Sequence, residues 1–568
     1  MAGNGDTATQ ECVRHRVRLH AVSVAISVQI LPWLDDYYQG GRQRKCHRES
    51  LSRRALVAAE FLLPGLVLLA YGWSLFNSPS FGSLADQPYH LALAREYEQA
   101  MQAGEVPPRW AAGLNGGRNA PTFVVYPPLF SMLTAALMSL TESPRNALRA
   151  AVLITAMGGF WAVFYLSRGW LSATRSLLAG ALVLLLPGTT MLALGRAMYP
   201  NFAALGWIAL ATAALQRLQS GRSVRANQAV LAVALAGLVL THALTAFMAG
   251  ILLVVTLPIL LHRIERWVLL RCCAAVPPAM FITAWYWIPL LEAGSYLRLD
   301  YLTWSHPHLE STLWGPASDA TAYEQNWIFL NLVGKGIVVA QSILSLFVFL
   351  AVKDAARLES AEQSMVKAAS SARPRLVFLD LLPWISGFGL LAAIDPVARL
   401  LVEAPRFSMV QFSWRWQIFV SLWCAVGLAS LPRRPLSLVA AALGGVVLLF
   451  FSPIELRPAR SDSAYYLPAP YGQVSVLAGQ AAVKAGSLRP GRRTYAVEAS
   501  GPSTLWFVTY HCSGWGAILN GVEHPITVEP ETGLQLIDVP AGFHRLELNY
   551  KGALGLVAAA SQPRWIRP

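Results

Sequence analysis

The stretch FGSLADQPYHLALAREYEQAMQAGEVPPRWAAGLNGGRNAPTFVVYPPLF spans residues 81–130 and follows the first long apolar segment of the chain. Asp86 and His90 are four residues apart, so on a helix they share one face. A carboxylate and an imidazole placed in this way can act as a base, hold a metal ion or bind a sugar. Glycine and proline then end the helical pattern, which predicts a shaped loop before the next apolar run.

The composition predicts a membrane protein. Hydrophobic residues make up 55% of the 568 residues and charged residues only 13%, which is far from the balance of a soluble chain. The net charge of +14 therefore indicates basic loops that face the cytoplasm and contact anionic membrane lipids, and nucleic acid is not expected as a partner. The six cysteines are scattered without metal-binding spacing, so they are interpreted as packing residues.

Apolar stretches of about 20 residues predict membrane-spanning helices. The chain has about 11–13 such segments, and the predicted spans are 55–76, 122–140, 148–166, 176–194, 201–217, 228–242, 245–262, 267–290, 335–352, 376–394, 413–431 and 435–452. Residues 1–54 are predicted to form a basic, disordered tail, or they precede the natural start of the protein.

Arginine and lysine cluster in alternate loops, which assigns those loops to the cytoplasmic side. The remaining loops, including 77–121, and everything after residue 452 are then expected outside. Two apolar segments lie between the outer loop 77–121 and the next basic loop, but the assignment of sides allows only one crossing there. The segment 122–140 is therefore predicted to lie along the membrane or to re-enter it, unless the assignment of sides is wrong at this point. Polar residues from distant parts of the chain thus meet at the outer face, namely Asp86, His90, Arg196, Tyr199, His242, His306, His308 and Arg415.

The C-terminal part has a different pattern. Residues 453–492 are predicted to be a connector, and residues 493–568 show short β-rich runs separated by turn residues. Asn520-Gly521 is a hairpin signal. We therefore expect a helical domain over 55–452 that is followed by a small extracytoplasmic β-sandwich.

Several motifs together resemble a bacterial membrane-protein family labelled "6-pyruvoyl-tetrahydropterin synthase-related" and, more broadly, the GT-C glycosyltransferases that use polyprenyl-phosphate sugars. The motifs are DQPYH (86–90), YPPLF (126–130), ALGRAMYPNFA (193–203), LTHAL (240–244), QFSWRWQ (411–417) and the tail GWGAILNGVEHP (514–525) with VPAGFHRLELNY (539–550). The resemblance implies a multi-pass protein of the bacterial inner membrane and cell envelope. It does not imply pterin chemistry, because no three-histidine zinc pattern is present.

In GT-C enzymes an acidic residue of the first outer loop acts as the catalytic base or helps to hold a divalent metal ion. By position this residue is Asp86. Many of these enzymes have a second acidic residue there, whereas this chain has Gln87, which leaves both the metal ion and the activity open. The resemblance implies that a polyprenyl-phosphate-linked sugar is the partner. On this hypothesis His90 assists Asp86, and Arg196 and Arg415 bind the phosphate of the leaving group.

Each of these residues also has a simpler interpretation. Asp86 could cap a helix, His90 could be a packing residue, and Arg196 could reach to the membrane interface. His242 interrupts an apolar stretch of about 35 residues, where an ionisable group usually has a function. Trp414 could stack on a sugar or lipid beside Arg415, or anchor the chain at the interface.

Three further sets are weaker candidates. Tyr126, a candidate substrate-binding residue, begins a Tyr-Pro-Pro sequence that is expected to set the direction of the chain. His306 and His308 form a weak metal signal, and Tyr199 and Asn201 are interpreted as loop and cap residues. Two other functions remain open: a non-catalytic protein that binds lipid-linked glycans, and a transporter, although no matching interrupted spans suggest inverted repeats.

Overall fold

The computed structural model describes residues 62–77, 86–114, 122–293, 413–431, 473–489, 492–510, 515–529 and 534–550, except for a few single positions, together with isolated positions between 341 and 391. The predicted tail, the spans near 335–352 and 376–394 for the most part, the span 435–452, and the pair His306 and His308 lie outside this part of the chain.

The described N-terminal domain is helical. Its helices are α1 (Gly65–Phe76), α2 (Gln87–Gln102), α3 (Thr122–Val125), α4 (Leu129–Met138), α5 (Pro144–Ser167), α6 (Ala173–Leu185), α7 (Pro187–Thr190), α8 (Tyr199–Gln219), α9 (Val224–Thr241), α10 (Ala243–Arg263), α11 (Arg266–Cys273), α12 (Val276–Ala293) and α13 (Gln417–Ser430). A π-helix (Met191–Gly195) follows α7, and a 3-10 helix (Ser413–Trp416) precedes α13.

Four helical segments in the described part are long and apolar enough to cross a membrane, and a fifth is added if the bent pair α6 and α7 with the π-helix counts as one span. The predicted helical membrane protein with a C-terminal β-sandwich is confirmed. The segment 122–140 is broken at Tyr126–Pro128 into α3 and α4. Because α4 has 10 residues, it is only about 15 Å long and too short to cross the bilayer alone.

The core of the helical domain forms where α5, α6, α8 and α13 pack together. The contact between α5 and α8 is especially close, because a Cβ at Gly206 would lie 3.5 Å from the backbone of Gly158 and Gly159.

Helix starts follow local sequence signals. Ser143 caps α5 by accepting from the backbone of Asn146 at 3.4 Å, and proline occupies the first helical position.

The predicted span 176–194 is not one straight helix. Pro187 interrupts it after α6, and the two parts meet at a bend of 49°. The π-helix ends at Arg196, whose backbone N–H donates to the Met191 carbonyl at 2.8 Å. Ala197 then takes a positive φ of 52°. The break therefore turns Arg196 into the protein instead of extending the helix.

The C-terminal domain has two antiparallel sheets. One has the strand order β1 (Val474–Ala478), β4 (Ser503–Tyr510), β8 (Leu534–Val539) and β7 (Thr527–Val528); the other has the order β2 (Ala481–Arg489), β3 (Arg492–Ala499), β9 (Gly542–Tyr550), β5 (Trp515–Leu519) and β6 (Val522–His524). Strand β3 alternates between buried and exposed residues, as expected for a strand with one face on a core.

The sheets differ from the sequence prediction at their start and agree with it at the predicted hairpin. Strands β1 and β2 lie at residues 474–489, inside the range predicted as a connector, so the sandwich begins about 20 residues earlier than expected. The Asn520-Gly521 hairpin is present between β5 and β6, where both residues have positive φ values. The β-rich run at 553–559 lies outside the described residues.

Candidate functional site

Asp86 stands at the start of α2, as the residue before its first turn, and its carbonyl accepts from the His90 backbone N–H at 3.0 Å. The Asp86 side chain does not cap the helix, so its carboxylate remains available for other contacts. The residue is exposed, and yet burial raises the pKa of its carboxyl group. A carboxylate that faces a cleft inside the protein can be both accessible and partly desolvated. We call the space beside Asp86, Arg196 and Arg415 the Asp86 cleft.

Two arginines act on this carboxylate. The positive charges of Arg415 and Arg196 lower the pKa of Asp86 and oppose the effect of its burial. Arg196 is 2% exposed, and burial lowers the pKa of its guanidinium to about 9 while the Asp86 carboxylate raises it. Arg415 is half-buried at the start of α13. Among the described residues, the cleft thus holds one carboxylate and two guanidinium groups.

His90 lies one helical turn after Asp86, as its backbone bond to the Asp86 carbonyl shows, but it is buried whereas Asp86 is exposed. Its side chain is 3% exposed and is surrounded by aromatic rings, with ring centroids 5.4 Å from Tyr199 and 5.9 Å from Phe130. Burial lowers the pKa of His90 to about 4, although the Ala197 carbonyl favours the protonated form. His90 is therefore neutral at ordinary pH and lies behind the cleft.

Tyr126 and His242 complete the wall of the cleft. Tyr126 is half-buried and lies within electrostatic reach of both Asp86 and Arg415. Its ring also meets that of Tyr89 edge-on, at a centroid distance of 5.7 Å. His242 lies between α9 and α10, is half-buried and is within reach of Arg415.

The structure thus brings Asp86, Tyr126, Arg196, His242 and Arg415 to one place from five separate parts of the chain. Trp414 belongs to the 3-10 helix beside Arg415, and its side chain lies outside the description. The roles of these residues remain predictions.

Sequence reasoning missed two pairs that support the site. Gln87 donates through Nε2 to the Tyr199 hydroxyl at 2.8 Å, which fixes the start of α2 on α8. Asn201 donates through Nδ2 to the Thr245 hydroxyl at 2.6 Å. Asn201 was interpreted only as a cap residue. A threonine three residues after His242 is the signal that could have been found, because side chains at the first turn of a helix often bond to the capping residue.

The residues around Asp86 do not fit a divalent metal ion. In the described part of the chain no three His, Cys, Asp or Glu side chains are grouped closely enough to hold one. The groups that act on Asp86 are guanidinium groups, which repel a cation, and the Gln87 amide is bonded to Tyr199.

No protein-family model matches the sequence, and no curated protein matches it at a significant level. The narrower family resemblance therefore stays a prediction. Among solved structures the chain is similar to ArnT from Cupriavidus metallidurans in the apo state, with 15% identity and a TM-score of 0.35 over 66% of this chain and 78% of that one. The same enzyme bound to undecaprenyl phosphate gives 15% identity and a TM-score of 0.30 over 65% and 77%.

The chain is also similar to the archaeal oligosaccharyltransferase AglB from Archaeoglobus fulgidus, in complex with an inhibitory peptide and a dolichol-phosphate. There the identity is 12% and the TM-score is 0.36, over 69% of this chain and 55% of that one. At TM-scores this low the similarity is partial, and function has to be inferred from the residues of the Asp86 cleft.

Proposed function

We propose that this protein transfers a sugar from a polyprenyl-phosphate carrier to an acceptor at the outer face of the bacterial inner membrane. The observation that carries the proposal is the carboxylate of the exposed residue Asp86 in a cleft that also holds Arg196 and Arg415. A phosphodiester carries one negative charge, and the two guanidinium groups carry the opposite charge. Guanidinium groups also suit phosphate oxygens in geometry.

In the proposed reaction, a hydroxyl or amino group of the acceptor attacks the anomeric carbon of the sugar, and its proton passes to the Asp86 carboxylate. The bond between the anomeric carbon and the phosphate oxygen breaks, and its electron pair stays on the phosphate. Arg196 and Arg415 stabilise the charge that grows on this leaving group. Products are the glycosylated acceptor and the polyprenyl phosphate.

The environment of Asp86 suits a general base. Burial raises the pKa of its carboxyl group, which strengthens the base, and the two arginines keep the carboxylate form available. His90 takes no proton in this proposal, since its ring is buried among aromatic side chains. It instead supports the start of α2 and thereby the position of Asp86. Tyr126, His242 and Trp414 contribute to substrate binding.

The proposal is tested by profiling lipid-linked sugars in a deletion strain that carries either the wild-type gene or Asp86→Asn. The substitution removes the base but keeps the shape, so we expect the carrier-linked sugar to accumulate as it does in the deletion strain. Gln102→Asn, at the exposed end of the same helix, is the control and should restore the wild-type profile. A wild-type profile with Asp86→Asn at equal protein level would contradict the role of Asp86.

A second candidate function is a protein that binds lipid-linked glycans without chemistry. It is favoured by Gln87, which stands where a second acidic residue is common and is bonded to Tyr199. Binding of undecaprenyl phosphate by the purified protein, together with an unchanged sugar profile in the deletion strain, would support this candidate over transfer.

A further inference from the structure

A chain of hydrogen bonds leads from α8 through α10 to the cleft. Asn201 donates through Nδ2 to the Thr245 hydroxyl oxygen at 2.6 Å, and this oxygen lies 2.5 Å from Nδ1 of His242. The backbone N–H of Thr245 donates to the same His242 nitrogen at 3.2 Å. Asn201 and Thr245 are buried, whereas His242 is half-buried at the cleft.

The donor of each bond can be assigned by starting from the backbone N–H of Thr245. A backbone N–H can only donate, so Nδ1 of His242 carries no proton. The Thr245 hydroxyl must then donate its own proton to Nδ1, because two acceptors cannot bond to each other. The hydroxyl oxygen is left with free lone pairs, and the Asn201 amide N–H supplies the matching donor. Every bond of the chain therefore points towards Nδ1.

A neutral imidazole with an unprotonated Nδ1 carries its proton on Nε2. Among the described residues Nε2 of His242 has no hydrogen-bond partner, and the residue is half-buried at the cleft, so this N–H is available to a ligand. The positive charge of Arg415, one of the two arginines at Asp86, acts on the ring. The free N–H is thus part of the positive side of the cleft.

We propose that Asn201 and Thr245 are positioning residues that hold His242 with its proton on Nε2, so that this N–H donates a hydrogen bond to the phosphate bound in the Asp86 cleft. The hydrogen bond to the phosphate, which is the ligand half of this inference, rests on the proposed function. The position of the proton on Nε2, which is the tautomer half, does not. Because α8 and α10 both contribute, the arrangement fixes the ring from two sides. A helix cap alone would need only the bond from the Thr245 backbone.

The tautomer is tested by nitrogen NMR of the full-length protein in nanodiscs with ¹⁵N-labelled histidine, and His242→Gln identifies the signal. We expect a protonated Nε2 and a hydrogen-bonded, unprotonated Nδ1. Thr245→Val removes the hydroxyl at nearly constant volume, so the Nδ1 signal should move towards that of an unbonded nitrogen, and Thr245→Ser should restore it. A wild-type signal with the proton on Nδ1, or no change in Thr245→Val, would overturn the proposal.

The ligand half is tested by titrating undecaprenyl phosphate into the same samples. We expect the Nε2–H signal of His242 to shift on binding, and Thr245→Val to weaken binding by roughly threefold to tenfold, the size of one neutral hydrogen bond. Thr245→Ser should bind as the wild type does. Thr256→Val is the matched control, because Thr256 is buried in the same helix and donates only to its own helix backbone.

The outcomes separate this inference from the proposed function. Binding that leaves the His242 signal unchanged, or equal affinity in Thr245→Val, would overturn the phosphate contact while leaving the cleft as the binding site. Failure of the wild-type protein to bind undecaprenyl phosphate would overturn the proposed function and the phosphate contact together. The tautomer measurement would still decide whether Asn201 and Thr245 position the ring.

Discussion

The indole rings of Trp110 and Trp515 lie with their centroids 5.1 Å apart, although 405 positions separate them in the sequence. Trp110 follows α2, is 1% exposed and belongs to the core of the β-sandwich, where it also meets Tyr550 edge-on at 4.9 Å. Two segments that share one hydrophobic core cannot lie on opposite sides of a bilayer. The loop that carries Asp86 and the sandwich therefore lie on the same side of the membrane.

The first prediction follows from this contact and concerns labelling from outside the cell. With all six native cysteines replaced by serine, Gln102→Cys after the Asp86 segment and Ser500→Cys in the sandwich should both react with a membrane-impermeant maleimide in intact spheroplasts. Both native residues are exposed. Ser220→Cys gives the control, since Ser220 is exposed in the basic loop between the predicted spans 201–217 and 228–242, which is predicted to be cytoplasmic, and it should react only after permeabilisation. Reaction of positions 102 and 500 from opposite sides would contradict the shared core.

The second prediction concerns the two arginines at the cleft. Arg196→Gln and Arg415→Gln should each weaken binding of undecaprenyl phosphate by about tenfold to hundredfold, because a hydrogen bond to a charged group is lost in each case. The measurement is a binding titration with the purified protein in nanodiscs.

Arg217→Gln is the control for these two variants. Arg217 lies 18 residues beyond Tyr199 on α8, which places it about 27 Å from the start of that helix at the cleft end. The affinity of the Arg217→Gln variant for undecaprenyl phosphate should equal that of the wild type. Equal losses in all three variants would indicate a general loss of folded protein and not a phosphate site.

The residues of the cleft could be found from the sequence because ionisable side chains are rare and conspicuous in apolar surroundings. Arg196, His242 and Arg415 each interrupt or flank a hydrophobic run, and Asp86 opens a polar helix. The charge pattern of the loops then placed them on one face. These signals are local, and they do not depend on how the helices pack.

What surrounds those residues could not be predicted in the same way. The enclosure of His90 by Phe130 and Tyr199 depends on the packing of three helices that are distant in the sequence. Likewise, Asn201 and Thr245 meet only because the first turn of α8 comes near the first turn of α10. Strands β1 and β2 were missed because their apolar residues are small or widely spaced, so pairing with β4 and β3 decides their conformation.

The third prediction concerns the bend before Arg196. A Cβ at Gly188 would lie 2.5 Å from Oε1 of Gln341 and 2.9 Å from Oγ of Ser421. Gln341 also accepts from the Gly188 backbone N–H at 2.7 Å and donates to Ser421 at 2.6 Å. Gly188→Ala should therefore destabilise the protein by about 1–3 kcal/mol through overpacking, measured by thermal unfolding in detergent.

Gly158→Ala provides the control for this prediction. Gly158 lies in α5, and a Cβ there would meet nothing within 4 Å. Because alanine favours a helix over glycine, this variant should be as stable as the wild type or more stable. Equal stability of Gly188→Ala and the wild type would show that the contact between Gly188 and Gln341 does not hold the bend.

The last prediction concerns pH. On the proposed mechanism Asp86 must be ionised to accept a proton, so kcat/KM should fall as pH decreases through the pKa of this group. Burial raises that pKa and Arg415 lowers it. Removing the positive charge in Arg415→Gln should raise the pKa further, and the acidic limb of the profile should move to higher pH. Arg415→Lys keeps a charge and should leave the limb close to its wild-type position, even if its maximal rate is lower.

The donor phosphodiester stays a monoanion throughout, so it adds no limb of its own. An acidic limb that stays in place or moves to lower pH in Arg415→Gln would mean that the group titrating in the profile is not the carboxylate beside this arginine.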